Sequence, residues 1–317
     1  MIIYPKIDNR LLKTYPASER QSKVKESFEA RPLKPGSSFS DFLQSLAPVL
    51  KAHDFKALAR AVVSAKEKRK PVIVMLGGHV IKTGCSRILI NLAEQGFISH
   101  FASNGSAAIH DVELARLGHT SEEVASQIED GSFGMAHDTA AFVNKAATNA
   151  AKTEYGLGQM MGKMLIDEKP PYLERSLLAS CARLSIPYTL HVAIGTDIVH
   201  QHPTADGGAI GKTSLRDFHI LCASVVKLGN GGIVLNLGSA VIMPEVFLKC
   251  LAVARNLHPE VHNFTTANFD MLQHYRPTVN IVNRPNSKGG KGFAITGHHE
   301  IMLPLFAATV QEYASIR

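Results

Sequence analysis

Four stretches of the chain carry side chains whose type and spacing suit chemistry. His110-Asp111 follows Asn104-Gly105-Ser106. A histidine beside a carboxylate there suits proton transfer or the holding of a cationic substrate. Asp111 has an equal second reading, as an acid favoured by the dipole at a helix start. Further on, SKGGKGFAITGHHEIMLPL (287–305) sets Lys288 and Lys291 among glycines, then His298, His299 and Glu300. Either lysine could form an imine or bind a phosphate. An exposed turn accounts well for the glycines and lysines but less well for the His-His-Glu cluster. His200 and His202 form an HxH pair that could ligate a metal together with Asp197 or Asp217. No HExxH-type spacing accompanies the pair, and loop histidines that touch substrate fit the pattern better. Finally, DGGAIGKTS (206–214) approaches a phosphate-binding P-loop. It begins with Asp206 where that motif needs glycine, and HQHPTA rather than a strand precedes it. A flexible glycine-rich loop that closes over a site is the expectation there.

The elements that must position these groups centre on residues 71–113. Val72 to Leu76 is an apolar run of the length of a buried parallel strand. A Gly77-Gly78 turn follows, then Val80, Ile81, Ile88, Leu89 and Leu92 at helical spacing, closing at Gly96. A second apolar run, Phe97 to Ala102, leads to Asn104-Gly105-Ser106. In an open parallel sheet, ligands sit at the carboxyl ends of strands, where glycine lets main-chain N–H groups approach a phosphate. A nucleotide-type cofactor is expected on this architecture, since GxGxxG itself is absent.

The remaining pattern extends the same scheme. Ser38 or Ser40 could cap a helix carrying Phe42, Leu43, Leu46 and Leu50, and Asp54 the next, to about Lys68. Thr120 with Glu123 makes a capping box at the head of a mostly helical stretch, 120–170. Another helix is expected over 177–184, and a strand from Ile186 that ends at Gly195-Thr196-Asp197. Helices over 215–228 and 244–255 flank a strand from Gly232 that turns at Gly238-Ser239. Strands over 262–267, 279–282 and 292–296 and a closing helix over 301–315 complete the chain. This alternation predicts an α/β fold: a doubly wound, mainly parallel Rossmann-like sheet with helices on both faces. A basic N-terminal arm over 1–36 would precede one domain over 37–317.

Composition narrows the classes. At 317 residues and 45% hydrophobic content the chain can bury a large core, and 19% charged residues argue against a disordered or coiled-coil protein. The net charge of +7 comes largely from the N-terminal third, including the KEKRK run at Lys66 to Lys70. No aromatic interleaving accompanies it, so a solvated basic face is expected, with no nucleic-acid and no membrane partner; an acidic macromolecular substrate is the alternative. Cys85, Cys181, Cys222 and Cys250 are scattered and read as reduced thiols of a cytoplasmic protein. Neither a signal peptide nor a stretch of transmembrane length is visible.

Taken in order, VMLGGHVIKTG, SNGSAAIHDVE, IPYTLHVAIGTD, GGIVLNLGSAVIMPE, TTANFD, RPTVNIVNRP and HHEIMLPLFAA resemble the deoxyhypusine synthase family, from about residue 38 to the C-terminus. The resemblance implies a homotetrameric, NAD-dependent enzyme that oxidises spermidine. Such an enzyme captures the butylamine imine on a lysine and transfers it to a protein lysine of a translation factor. It implies NAD contacts at Gly78, His79 and Thr83, at Asn104, Gly105 and Ser106, and at Asp197, Gly238, Ser239, Thr266, Ala267 and His298.

On the chemistry side the chain departs from that family. His110 and Asp111 stand in place of paired glutamates, and Pro244 or Glu245 in place of a histidine. Asn283-Arg284-Pro285 stands in place of Trp-Gly-Lys, in a chain without tryptophan. Pro285 cannot be a nucleophile, so Lys288 or Lys291 takes over or covalent imine capture is lost. The resulting expectation is an NAD-dependent enzyme that removes hydride from an amine- or hydroxyl-bearing carbon of a small molecule. Its catalytic candidates are Lys288, Lys291, His110 and Glu245, its substrate contacts Asp111, His200 and Glu300, and no metal is called for. The alternatives are a genuine deoxyhypusine synthase with a displaced lysine, a metal-dependent hydrolase using His200, His202 and Asp197, and a non-catalytic NAD-binding protein.

Overall fold

A computed structural model describes residues 2–316, which divide between His53 and Asp54 into two compact units. In the first, nearly every residue before Phe39 is exposed, and three short 3-10 turns interrupt an irregular backbone. Helix α1 (Phe39–Ser45) closes it. Ser38 caps this helix through a reciprocal pair: Asp41 N–H donates to the Ser38 hydroxyl at 3.1 Å, and Ser38 N–H to the Asp41 carboxylate at 2.9 Å. Helix α2 (Leu50–Glu67) begins four residues before Asp54, so Asp54 lies inside the helix instead of capping it.

The second unit is built on six parallel strands in the order β3-β2-β1-β4-β5-β6. These are β1 (Val72–Leu76), β2 (His100–Asn104), β3 (Tyr188–His191), β4 (Ile233–Leu237), β5 (Thr265–Asp270) and β6 (Lys291–Thr296). All five residues of β1 are buried, and their alternation serves two faces. Val72, Val74 and Leu76 join one core, and Ile73 and Met75 join the other. On the first face lie α2, α4 (Ser86–Glu94), α5 (Gly105–Leu117), α7 (His137–Ala151), α8 (Leu157–Glu168), α9 (Leu177–Leu184) and α13 (His299–Ser315). On the second lie α10 (Gly207–Val225) and α11 (Ile242–Leu257). Helices on both faces of a parallel sheet are the doubly wound arrangement that the alternation of elements predicts.

Local chemistry moves several elements from their expected places. The helical stretch after Gly78 breaks at Thr83–Cys85 into α3 (Gly78–Lys82) and α4, because the Thr83 hydroxyl donates to the His79 carbonyl and closes α3. DGGAIGKTS is the first half of α10, with no open loop. Asp206 caps it by accepting from Ala209 N–H at 3.0 Å, which pre-empts any phosphate at those amides. Thr120 does not cap α6 (Val124–Asp130), for its hydroxyl points elsewhere. Residues 279–282 form no strand. They lie in a π-helical stretch, Thr278–Asn283, that continues a short turn, α12 (Tyr275–Pro277). The buried Thr266 hydroxyl takes up the Ile281 carbonyl at 2.6 Å, satisfying a group that a widened turn frees. No helix among the described residues is long and apolar enough to cross a membrane.

Candidate functional site

The strand order reverses between β1 and β4, and the turns leaving their carboxyl ends lie side by side there. Gly238, after β4, has φ +65°, and a Cβ on it would stand 2.5 Å from His299 Nε2. Only glycine lets that backbone pass so close to the imidazole. His299 opens α13 and is 1% exposed, yet neither ring nitrogen has a hydrogen-bond partner. Burial lowers its pKa, against a weaker opposing pull from Asp270 at the end of β5, so the ring is neutral. The His79 ring faces it at 5.8 Å. Two bare nitrogens on a buried ring are costly unless a further group meets them.

Next to this reversal point, β2 runs into α5. Asn104 caps that helix, its side-chain oxygen accepting from Ala107 N–H at 3.2 Å. A Cβ on Gly105 would run into the Asp197 carboxylate, so glycine is what admits Asp197 to this edge. Asp197 is 8% exposed, and burial raises its carboxyl pKa, with His200 opposing. Here a cavity of about 230 Å³ opens, its walls including Lys82, Ser106, His110, Glu113, Glu122 and Asp197.

His110 is tied down at one nitrogen. Its Nδ1 lies 2.7 Å from the Thr120 hydroxyl, which in turn donates to Glu113 Oε2 at 2.5 Å. Thr139 of α7 donates to the other Glu113 oxygen at 2.9 Å. Burial raises the Glu113 pKa, but the bonds from its neighbours outweigh it and hold the carboxyl below its usual range. Glu113 therefore stays ionised. The sequence reading passed over it, although His110 and Glu113 are three apart and share a helix face.

The structure gathers some expected residues at this edge and scatters others. Asn104 ends β2, and Gly78, His79, Gly105, Ser106, Asp197, Gly238, Ser239 and His298 follow carboxyl ends of strands. Thr83 is there too, but its hydroxyl is used within α3. Thr266 and Ala267 sit early in β5, fully buried, and Asp270 reaches the edge in their stead. Asp111 is 1% exposed and faces away from the cavity. Its oxygens accept from the Ser176 hydroxyl and the Leu177 and Leu178 N–H groups, which anchors the start of α9.

Lys291 begins β6 and Lys288 precedes it, so both occupy the amino edge. The five-residue rise from Lys291 to Thr296 puts roughly 17 Å between them and the carboxyl edge. Glu245, in the first turn of α11 after β4, is engaged with Lys249, Arg276 and Asn280. His200 Nδ1 accepts from Gly195 N–H, and His202 Nε2 donates to the Gly134 carbonyl, so the HxH pair holds backbone. Among the described residues no group of three His, Cys, Asp or Glu side chains could hold a metal. Glu300 lies 3.9 Å from His298, both exposed.

No family profile and no curated protein sequence matches the chain. Solved structures do. A structure assigned as a deoxyhypusine synthase from Entamoeba histolytica aligns with a TM-score of 0.51 at 10% identity, covering 90% of this chain and 97% of that one. The chain has a deoxyhypusine synthase-like fold. A conserved protein from Methanococcus maripaludis S2 assigned as LOR/SDH aligns with a TM-score of 0.50 at 17% identity, over 84% of this chain and 71% of that one. AgrE, solved in ternary complex with ornithine and NAD+, gives 0.53 at 13% identity, and this chain spans 34% of its length. At these identities the likeness is one of fold.

Proposed function

We propose that this protein is an NAD-dependent enzyme that removes hydride from the amine-bearing carbon of a small molecule. The observation that carries this reading is His299. It is a buried, neutral imidazole with both nitrogens unpartnered, beside glycine turns at the point where a parallel sheet reverses its strand order. Such a ring fits a polar group arriving from outside the chain. The helices that start at Gly78 and His299, neither capped by a side chain, aim their N-termini at the same edge, which suits the pyrophosphate of a dinucleotide. His79, His299 and the Gly238 turn would hold that group. Bound there, NAD supplies a hydride acceptor.

The chain's own part is to bind the amine and take its proton. Asp197 is positioned to meet an ammonium group in the cavity, and His110 to accept a proton from it before hydride leaves the adjacent carbon. Ile109 and Phe133 in the same wall exclude water from one side. Of the solved structures with this fold, AgrE is complexed with NAD+ and the amino acid ornithine, which supports an amine substrate and this cofactor. Imine capture by Lys288 or Lys291 has no geometric basis at the amino edge. Binding of NAD is tested by calorimetric titration, followed by screening of small amines for NADH absorbance. Saturable binding that is lost in His299→Leu supports the reading; no heat at millimolar NAD overturns it.

A further inference from the structure

The Thr120 hydroxyl has one proton and two neighbours that compete for it, His110 Nδ1 at 2.7 Å and Glu113 Oε2 at 2.5 Å. An ionised carboxylate can only accept, so the Thr120 proton goes to Glu113. The Thr120 oxygen is left to accept, and His110 Nδ1 must supply the hydrogen. We infer that Thr120 and Glu113 act as positioning residues that lock neutral His110 in its Nδ1–H form, leaving a bare Nε2 lone pair at the cavity as the proton acceptor. Thr139 keeps the relay in one direction, since its own hydroxyl occupies the second Glu113 oxygen.

The rest of the ring's surroundings agrees. Nε2 has no hydrogen-bond partner among the described residues, and the adjoining Cδ2 edge is the part of the ring nearest Gly78. A side chain larger than hydrogen at Gly78 would meet both this edge and Ser106. When Nε2 takes a proton, the imidazolium charge faces the Glu113 carboxylate, 3.9 Å from Nδ1. The other charged groups at the cavity are Lys82 of α3, Glu122 before α6, and Asp197. The catalytic use of the Nε2 lone pair rests on the reading of the preceding section; the tautomer does not.

The tautomer is measured by nitrogen NMR of histidine-labelled protein at about pH 9, with the His110 signals assigned from their loss in His110→Gln. The expected spectrum has the proton on Nδ1 in the unmodified protein and in Thr120→Ser, which keeps the hydroxyl. In Glu113→Gln the amide can donate to Thr120 and reverse the relay, so the proton should move largely to Nε2. Thr120→Val should release the lock as well, and circular dichroism confirms that each variant is folded. A proton on Nε2 in the unmodified protein overturns the inference, as does a Glu113→Gln spectrum unchanged from it. The experiment needs neither NAD nor substrate, so failure to bind NAD would sink the cofactor reading and leave this one standing.

Discussion

Asp217 and Asp111, two fully buried carboxyls, hold their protons more tightly folded than unfolded, so each favours the folded state at pH 5 over pH 8. The buried His100 and His191, lowered to about 3 by burial, pull the other way. Asp217, on α10, is 0% exposed. One oxygen accepts from Gly158 N–H at 3.0 Å and Leu190 N–H at 2.9 Å, joining the start of α8 to β3, and the other has no partner. Burial pushes its pKa up to about 7, against those backbone donors, from an ordinary value of 3.8. Asp111 is pushed up to about 6 by burial, its Ser176, Leu177 and Leu178 donors opposing. A raised folded pKa adds stability that is complete below 3.8 and is lost as the pH climbs through the folded value. Integrating between pH 5 and 8 gives a loss of roughly 3 kcal/mol from Asp217 and about 1 kcal/mol from Asp111. Urea unfolding followed by circular dichroism at the two pH values measures the difference. Asp217→Asn cannot ionise, so its stability at pH 5 relative to pH 8 should be lower than that of the unmodified protein by roughly 3 kcal/mol, whatever its absolute stability. A difference in stability between pH 5 and pH 8 that is the same in Asp217→Asn as in the unmodified protein would refute the argument.

Three further outcomes follow from the site. Gly238→Ala forces a Cβ into a left-handed backbone, which costs about 1–2 kcal/mol, and towards His299 Nε2; a lower melting temperature and loss of NAD binding by calorimetry are expected together. His299→Leu removes two buried unpartnered nitrogens, so thermal unfolding should show stability unchanged or raised by about 1 kcal/mol, while NAD affinity falls at least tenfold. Lys288→Ala and Lys291→Ala, at the amino edge, should leave NAD binding and any amine-dependent NADH production within twofold of the unmodified protein. A large loss in either variant would put catalysis at the wrong end of the sheet.

How far the sequence revealed this molecule depends on the range of the forces involved. The core strands were legible because burial on both faces demands largely apolar runs: Val72–Leu76 is wholly apolar and Ile233–Leu237 is so but for Asn236, and each is a five-residue strand in the structure. Val279-Asn280-Ile281-Val282 looks equally strand-like. Its fate is set by Thr266, thirteen or more residues away in sequence, whose hydroxyl bonds the Ile281 carbonyl. No local pattern carries that information. Similarly, Asp206 in DGGAIGKTS could be read as a failed phosphate loop or as a helix cap, and the cap prevails because it satisfies Ala209 N–H without a ligand.

At the site the division falls between backbone and side chain. Gly77-Gly78, Asn104-Gly105-Ser106 and Gly238-Ser239 announce strand ends through their own conformational needs, and all three lie at the carboxyl edge. Adjacent titratable pairs gave no such guidance. His110 and Asp111 are neighbours in sequence but point to different sides of α5, the histidine to the cavity and the aspartate to the start of α9. A helix turns about 100° per residue, so the group that shares a face with His110 is three positions on, at Glu113. The carboxylate that should tune the proton acceptor is therefore the one that spacing selects, and Asp111→Asn should disturb stability near pH 6 while the His110 tautomer stays as it was.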